Sequence, residues 1–116
     1  MKYLLLTYSI LFLFSCKSAN DIPGNIIPVD SMKLVMWDMM RTGAYVDHAF
    51  SKDSALLEKK YIELYRQVFL LHKITKAEFD ESLAYYLQHP DKNKIMLDSL
   101  NNFASKQRME RFRKME

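Results

Sequence analysis

The chain holds a single cysteine, Cys16, among its 116 residues. That excludes an internal disulfide and any zinc site built from several cysteines. Two glycines and three prolines are too few for a fold rich in strands and tight turns, and no glycine-rich phosphate loop is present. Neither sign of charge dominates: 17 Lys and Arg stand against 14 Asp and Glu, a formal +3. Gly-x-Ser-x-Gly, His-Glu-x-x-His, Walker and dinucleotide patterns are all missing, so the sequence offers no catalytic residue and no cofactor site. His48, His72 and His89 lie on different segments without the i,i+4 spacing of a helical metal site. Capping or solvated roles are expected for them, and no metal. What the chain does have is apolar content, 49% of its residues, enough to exclude disorder and to fill the core of one small domain.

The first sixteen residues read as an address. Lys2 precedes an almost wholly apolar stretch from Tyr3 to Phe14. About a dozen residues cannot span a ~30 Å hydrocarbon layer, which needs about 20, but they suit the apolar region of a signal peptide. Leu13-Phe14-Ser15-Cys16 closes the stretch and resembles the lipobox of bacterial lipoproteins. The resemblance implies cleavage after residue 15 and attachment of fatty acyl chains such as palmitate to Cys16. Read without it, Cys16 is a plain thiol behind an ordinary signal. No Asp follows Cys16 directly, and no acidic run follows either. The expected location is therefore the periplasmic face of an outer membrane. Residues 16–27 are expected to form the lipidated cysteine and a flexible tether, marked by Pro23 and Gly24.

The body predicts an all-α fold, a small bundle of about four helices over residues 28–105, with a basic helical tail over 106–116. Asp30 is the expected N-cap of the first helix. Its apolar residues fall on two faces, Met32, Val35, Met36, Met39, Gly43, Val46 and Phe50 on one and Leu34, Trp37, Met40, Ala44 and Tyr45 on the other. Such a helix belongs at the centre of its domain, and Gly43 would admit a close neighbour. A second helix to about Leu71 has the seam Leu57, Tyr61, Leu64, Val68, Leu71. Thr75-Lys76-Ala77-Glu78 is a capping box, with Ile74 and Phe79 placed as a hydrophobic staple. The third helix then starts at Lys76, buries Phe79, Leu83 and Tyr86, and stops before Pro90. A fourth, from about Pro90, packs through Met96, Leu100 and Phe103 or through Leu97, Leu100 and Ala104.

The run Ile74 to Tyr86, ITKAEFDESLAYY, closed by His89-Pro90, resembles the signature of an uncharacterised Bacteroidota lipoprotein family catalogued as domain of unknown function 4296. Ile27-Pro28, Met32 and Val35 to Met39 resemble the opening helix of that family. The likeness covers roughly residues 26 to 100. It implies a small helical envelope lipoprotein and no particular activity.

Glu78, Asp80 and Glu81 form an acidic group, yet acids in a first turn complement the helix dipole and need no acid–base role. Tyr86 is expected inside and Tyr85 nearer the surface, as a candidate contact. Met32, Met36, Met39, Met40 and Met96 read as core filler, or as an adaptable groove. From Lys106 the tail carries five bases and two acids. It reads as a solvated helix end, with an anionic membrane surface or an acidic protein as alternative takers, and Arg108 as its candidate contact. Nucleic acid is excluded by export. Asp-Ser-aliphatic triplets at Ser31, Ser54 and Ser99 resemble Bacteroidota O-glycosylation sites, with Ser54 the best-placed acceptor. The function expected is a non-catalytic interaction module held on the membrane by lipid and docked on an envelope protein. The alternative is a small-ligand binder or enzyme with a pocket around Trp37, Tyr61 and Tyr86.

Overall fold

A computed structural model describes residues 21–116; the apolar stretch read as a signal, Cys16 and residues 17–20 lie outside them. Four helices follow in order, α1 (Val29–Phe50), α2 (Ser54–Leu71), α3 (Lys76–Gln88) and α4 (Pro90–Met115). No strand occurs among the described residues, as the all-α expectation required.

Helix α1 starts two residues earlier than a cap at Asp30 would allow. Pro28 holds the N-cap position with an extended backbone and no side-chain cap, its carbonyl accepting the amides of Ser31 and Met32 at 3.1 and 2.8 Å. The fixed φ of proline sets the entry of the chain without a capping side chain. Asp30 instead sits in the first turn, where its charge suits the dipole and lies 3.0 Å from Lys33 Nζ. The helix is central, as its two apolar faces demanded, packing against both α2 and α4. Gly43 is buried where a Cβ would lie 3.0 Å from the Tyr65 hydroxyl of α2, so the close approach is real. α1 and α4 run side by side in the same direction. Met32 and Val35 share the core with Met96, and farther along Trp37 meets Phe103 edge-on at 5.9 Å.

Helix α2 opens on Asp53, whose carboxylate accepts the Leu56 amide at 3.0 Å. Its seam holds through Val68, but Leu71 is 71% exposed and Phe69 is in the core instead. The exit of the helix explains the change. Lys73 takes a left-handed φ of 55°, its amide bonding to Leu70 O at 3.2 Å and the Ile74 amide to Phe69 O at 3.0 Å. This is a Schellman ending, built on lysine where glycine is usual. It turns the chain so that α3 packs beside Phe69, which meets the Phe79 ring at 5.3 Å.

The start of α3 is as expected. Thr75 Oγ1 accepts the Glu78 amide at 3.1 Å, and Glu78 Oε2 accepts the Thr75 amide at 2.8 Å. Phe79 and Tyr86 are buried, Leu83 is half-buried, and Ser82, which no apolar pattern marks, is fully buried. In α4 the first of the two expected registers holds: Met96 and Leu100 are buried and Phe103 half-buried, while Leu97 is exposed. The helix continues without a break through residue 105 to Met115.

One expectation is corrected. The tether was to run to residue 27, yet Ile26 and Ile27 belong to the core, with Ile22 packed against it. The Ile27 amide donates to Ser82 Oγ at 2.9 Å, and Tyr86 Oη donates to the Ile27 carbonyl at 2.7 Å, both bonds buried. Asn25 Nδ2 donates to Glu81 Oε1 at 2.7 Å. Two buried isoleucines and a backbone unit satisfied by α3 side chains make residues 22–27 a docked strap.

Candidate functional site

Among the described residues, Trp37, Tyr61 and Tyr86 are not brought together around one pocket. Trp37 is turned edge-on to Phe103, Tyr86 is sealed beneath the strap, and Tyr61 faces another part of the surface. A different concavity exists, between α2 and the start of α3. Phe69 and Phe79 line it with Met39 of α1, Tyr61 and Tyr65 of α2, and Ile74. Its volume is about 650 Å³, and Arg66, Lys76 and Asp80 contribute charged side chains to it. The groove lies beside the Schellman turn that joins α2 to α3, with Phe69 on one helix and Phe79 on the other.

Several of its polar groups have partners. Tyr61 Oη donates to the Asp47 carboxylate, and that hydrogen bond pushes the Tyr61 phenol up to about 12. The Tyr65 phenol is raised by burial first and by Asp47 second. Both phenols thus stay protonated at neutral pH, unsuited to serve as bases. Lys76 pairs with Asp80 at 2.5 Å. No group of three or more His, Cys, Asp or Glu side chains converges on a metal-sized space among the described residues.

The remaining candidates scatter. Tyr85 is half-buried; its ring stacks on His89 with centroids 4.0 Å apart and meets Tyr86 edge-on at 5.7 Å. The inside position of Tyr86 is as expected, and burial raises its phenol pKa. Arg108 is exposed and donates to Ser105 Oγ at 3.3 Å. Ser54 is exposed as the first residue of α2, beside the capping Asp53; Ser31 is exposed in α1 and Ser99 half-buried in α4. Cys16 lies outside the described residues. Glu78 of the acidic group is engaged in the capping box, Asp80 pairs with Lys76, and Glu81 holds Asn25.

One pairing escaped the sequence reading. His72 Nε2 lies 2.7 Å from Asp38 Oδ2, joining the end of α2 to the middle of α1. The two are 34 residues apart, and no local spacing signals the pair. His89 Nδ1 lies 2.7 Å from the carbonyl of Tyr85, a capping role of the kind expected.

No curated protein and no solved structure is detectably similar to the chain. A family model described as a domain of unknown function (DUF4296) matches residues 23–110. The match begins inside the docked strap and reaches Glu110, so it takes in both the strap and the first turn of the tail, beyond the 26–100 read from sequence. With most of its length so matched, the chain belongs to the DUF4296 family.

Proposed function

We propose that this protein is a lipid-anchored, non-catalytic interaction module on the periplasmic face of a Bacteroidota outer membrane, fastened through Cys16 and docked on an envelope protein. The observation that carries the reading is the apolar stretch Tyr3–Phe14 ending in Leu-Phe-Ser-Cys at the sole cysteine. Several acyl chains at about 0.8 kcal/mol per buried CH₂ suffice for stable attachment. The docked strap sharpens the geometry. Only residues 17–21 separate Cys16 from Ile22, and at about 3.5 Å per residue they reach no more than about 20 Å. The domain would be held against the bilayer, within reach of partners embedded there.

Cell fractionation with Cys16→Ser tests the anchor. The wild-type chain should begin at an acylated Cys16 and enter the detergent phase, while the variant should retain its signal and carry no acyl mass. Equal partitioning of the two, or a wild-type N-terminus elsewhere, would sink the lipoprotein reading. Crosslinking in intact cells tests the interaction role, which requires one stoichiometric envelope partner. The α2–α3 groove favours a second reading, a small-ligand binder, because its volume falls in the ~300–1,000 Å³ range of ligand pockets. Ligand-dependent stabilisation of a wild-type chain that yields no crosslinked partner would select it.

A further inference from the structure

The last three turns of α4 change chemistry on one side. At about 100° per residue, Met96, Leu100, Phe103 and Gln107 share the side that faces α1. Met109, Phe112 and Met115 form a stripe centred about 150° away from it. They are 72, 67 and 74% exposed, so nothing among the described residues covers them. Over the preceding turns this outer side carries Lys94, Asp98, Asn101 and Ser105, and Lys94 pairs with Asp98 at 2.7 Å. From Lys106 onward the same side carries the apolar stripe, bordered by cations and ended by Glu116 at the C-cap. Arg113 and Lys106 flank the stripe on one edge and Arg111 on the other, and Arg108 lies between Phe112 and Met115 on the wheel. Among the described residues no carboxylate lies within ion-pair distance of these four.

We propose that residues 106–115 of α4 lie on an anionic phospholipid surface, with Met109, Phe112 and Met115 entering the headgroup layer and the flanking arginines pairing with lipid phosphates. An apolar stripe edged by cations is the pattern of helices that rest in a membrane interface. A second protein copy fits less well. Ten residues of helix present a face about 15 Å long, on the order of 200 Å², against the roughly 800 Å² per partner of a stable protein interface. A lipid surface imposes no such minimum, because each buried side chain and each cation adds independently. The inference rests on α4 alone and holds or fails whether or not Cys16 is acylated.

The single cysteine makes the test direct. In the full chain, Cys16→Ser combined with Phe112→Cys leaves one thiol for a polarity-sensitive fluorophore, and Asn101→Cys gives a control on the same side of α4. Each labelled chain is reconstituted into vesicles of phosphatidylcholine alone or of phosphatidylcholine with phosphatidylglycerol. The apolar run of residues 3–14 is common to both samples, so their difference reads the tail. Emission at position 112 should rise about threefold or more and shift to the blue only in the anionic vesicles, with position 101 unchanged. About 0.5 M salt, where the screening length is about 4 Å, should reverse the rise. So should Arg108→Gln, Arg111→Gln and Arg113→Gln together. Met109→Cys and Met115→Cys repeat the reading at the ends of the stripe, and circular dichroism verifies the fold of every variant. The proposal is overturned if position 112 stays dim in both vesicles or brightens equally in both. A rise without lipid that grows with protein concentration overturns it too, in favour of contact between copies.

Discussion

The two ends of the bundle are built differently. At one end the strap, α3 and the first halves of α1 and α4 converge, and Met32, Val35, Ser82, Tyr86 and Met96 are almost wholly removed from water there. Buried polar groups at that end are matched one to one, Ser82 to the Ile27 amide and Tyr86 to the Ile27 carbonyl. At the other end α1 and α2 turn through Ser51 to Asp53 and α4 runs on alone, its large apolar side chains exposed. The difference teaches where stability resides and where surface is left for contact. The first end carries most of the folding energy; the second is held mainly by helix continuity and by Val46 and Gly43 in α1.

Tyr86→Ala would break this comparison most severely. It empties a fully buried site and leaves the Ile27 carbonyl unpaired, and a loss of about 3–5 kcal/mol is expected in urea melts. A loss under about 1 kcal/mol would mean that the strap is not docked. Ser82→Ala removes less volume but orphans the Ile27 amide, for an expected loss of about 1–3 kcal/mol. Amide exchange at Ile27 should accelerate with it, and unchanged protection there would contradict the bond. Lys73→Gly works in the opposite direction. It relieves a lysine in the left-handed region at the Schellman turn and should stabilise by about 1 kcal/mol; a lower denaturation midpoint would refute the strain. Thr75→Ala should cost about 1 kcal/mol through the lost cap, and Glu78→Ala less, in the same melts. Smallest of all, Phe112→Ser should leave the midpoint within about 0.5 kcal/mol of wild type. A larger drop would show that the tail contributes to the core and that the two ends are not so unlike.

How much of this was legible in the sequence depended on how far apart the partners lie. The capping box closes within four residues, so Thr75 and Glu78 announce it. The strap is fastened by residues 55 and 59 positions away, and Pro23-Gly24-Asn25 taken alone reads as loop. The Schellman turn hid because lysine stands where glycine would have marked it. In the tail the pattern misled for a different reason. Continuing the inner register of α4 from Phe103 leads to Gln107, Glu110 and Lys114, so the apolar period seems to stop at Ala104. It has moved to the opposite side of the helix, where Met109, Phe112 and Met115 keep a spacing of three. The groove between α2 and α3 was not legible either, since it depends on how two helices are set together and not on what either one contains. The His72–Asp38 pair likewise joins residues that no local spacing connects.

The strap also sets an order of events during folding. Its hydrogen bonds close loops 55 to 59 positions long, and the entropy of loop closure favours short loops first. The α1–α2 hairpin and the cap of α3 need only neighbours, whereas Ile26 and Ile27 have no seat until α3 has formed against α1. Synthesis runs the other way, bringing the strap out of the ribosome before any residue that holds it. The strap is thus made well before it can be secured, and a chain cut short before Tyr86 would keep two isoleucines in water with nowhere to place them.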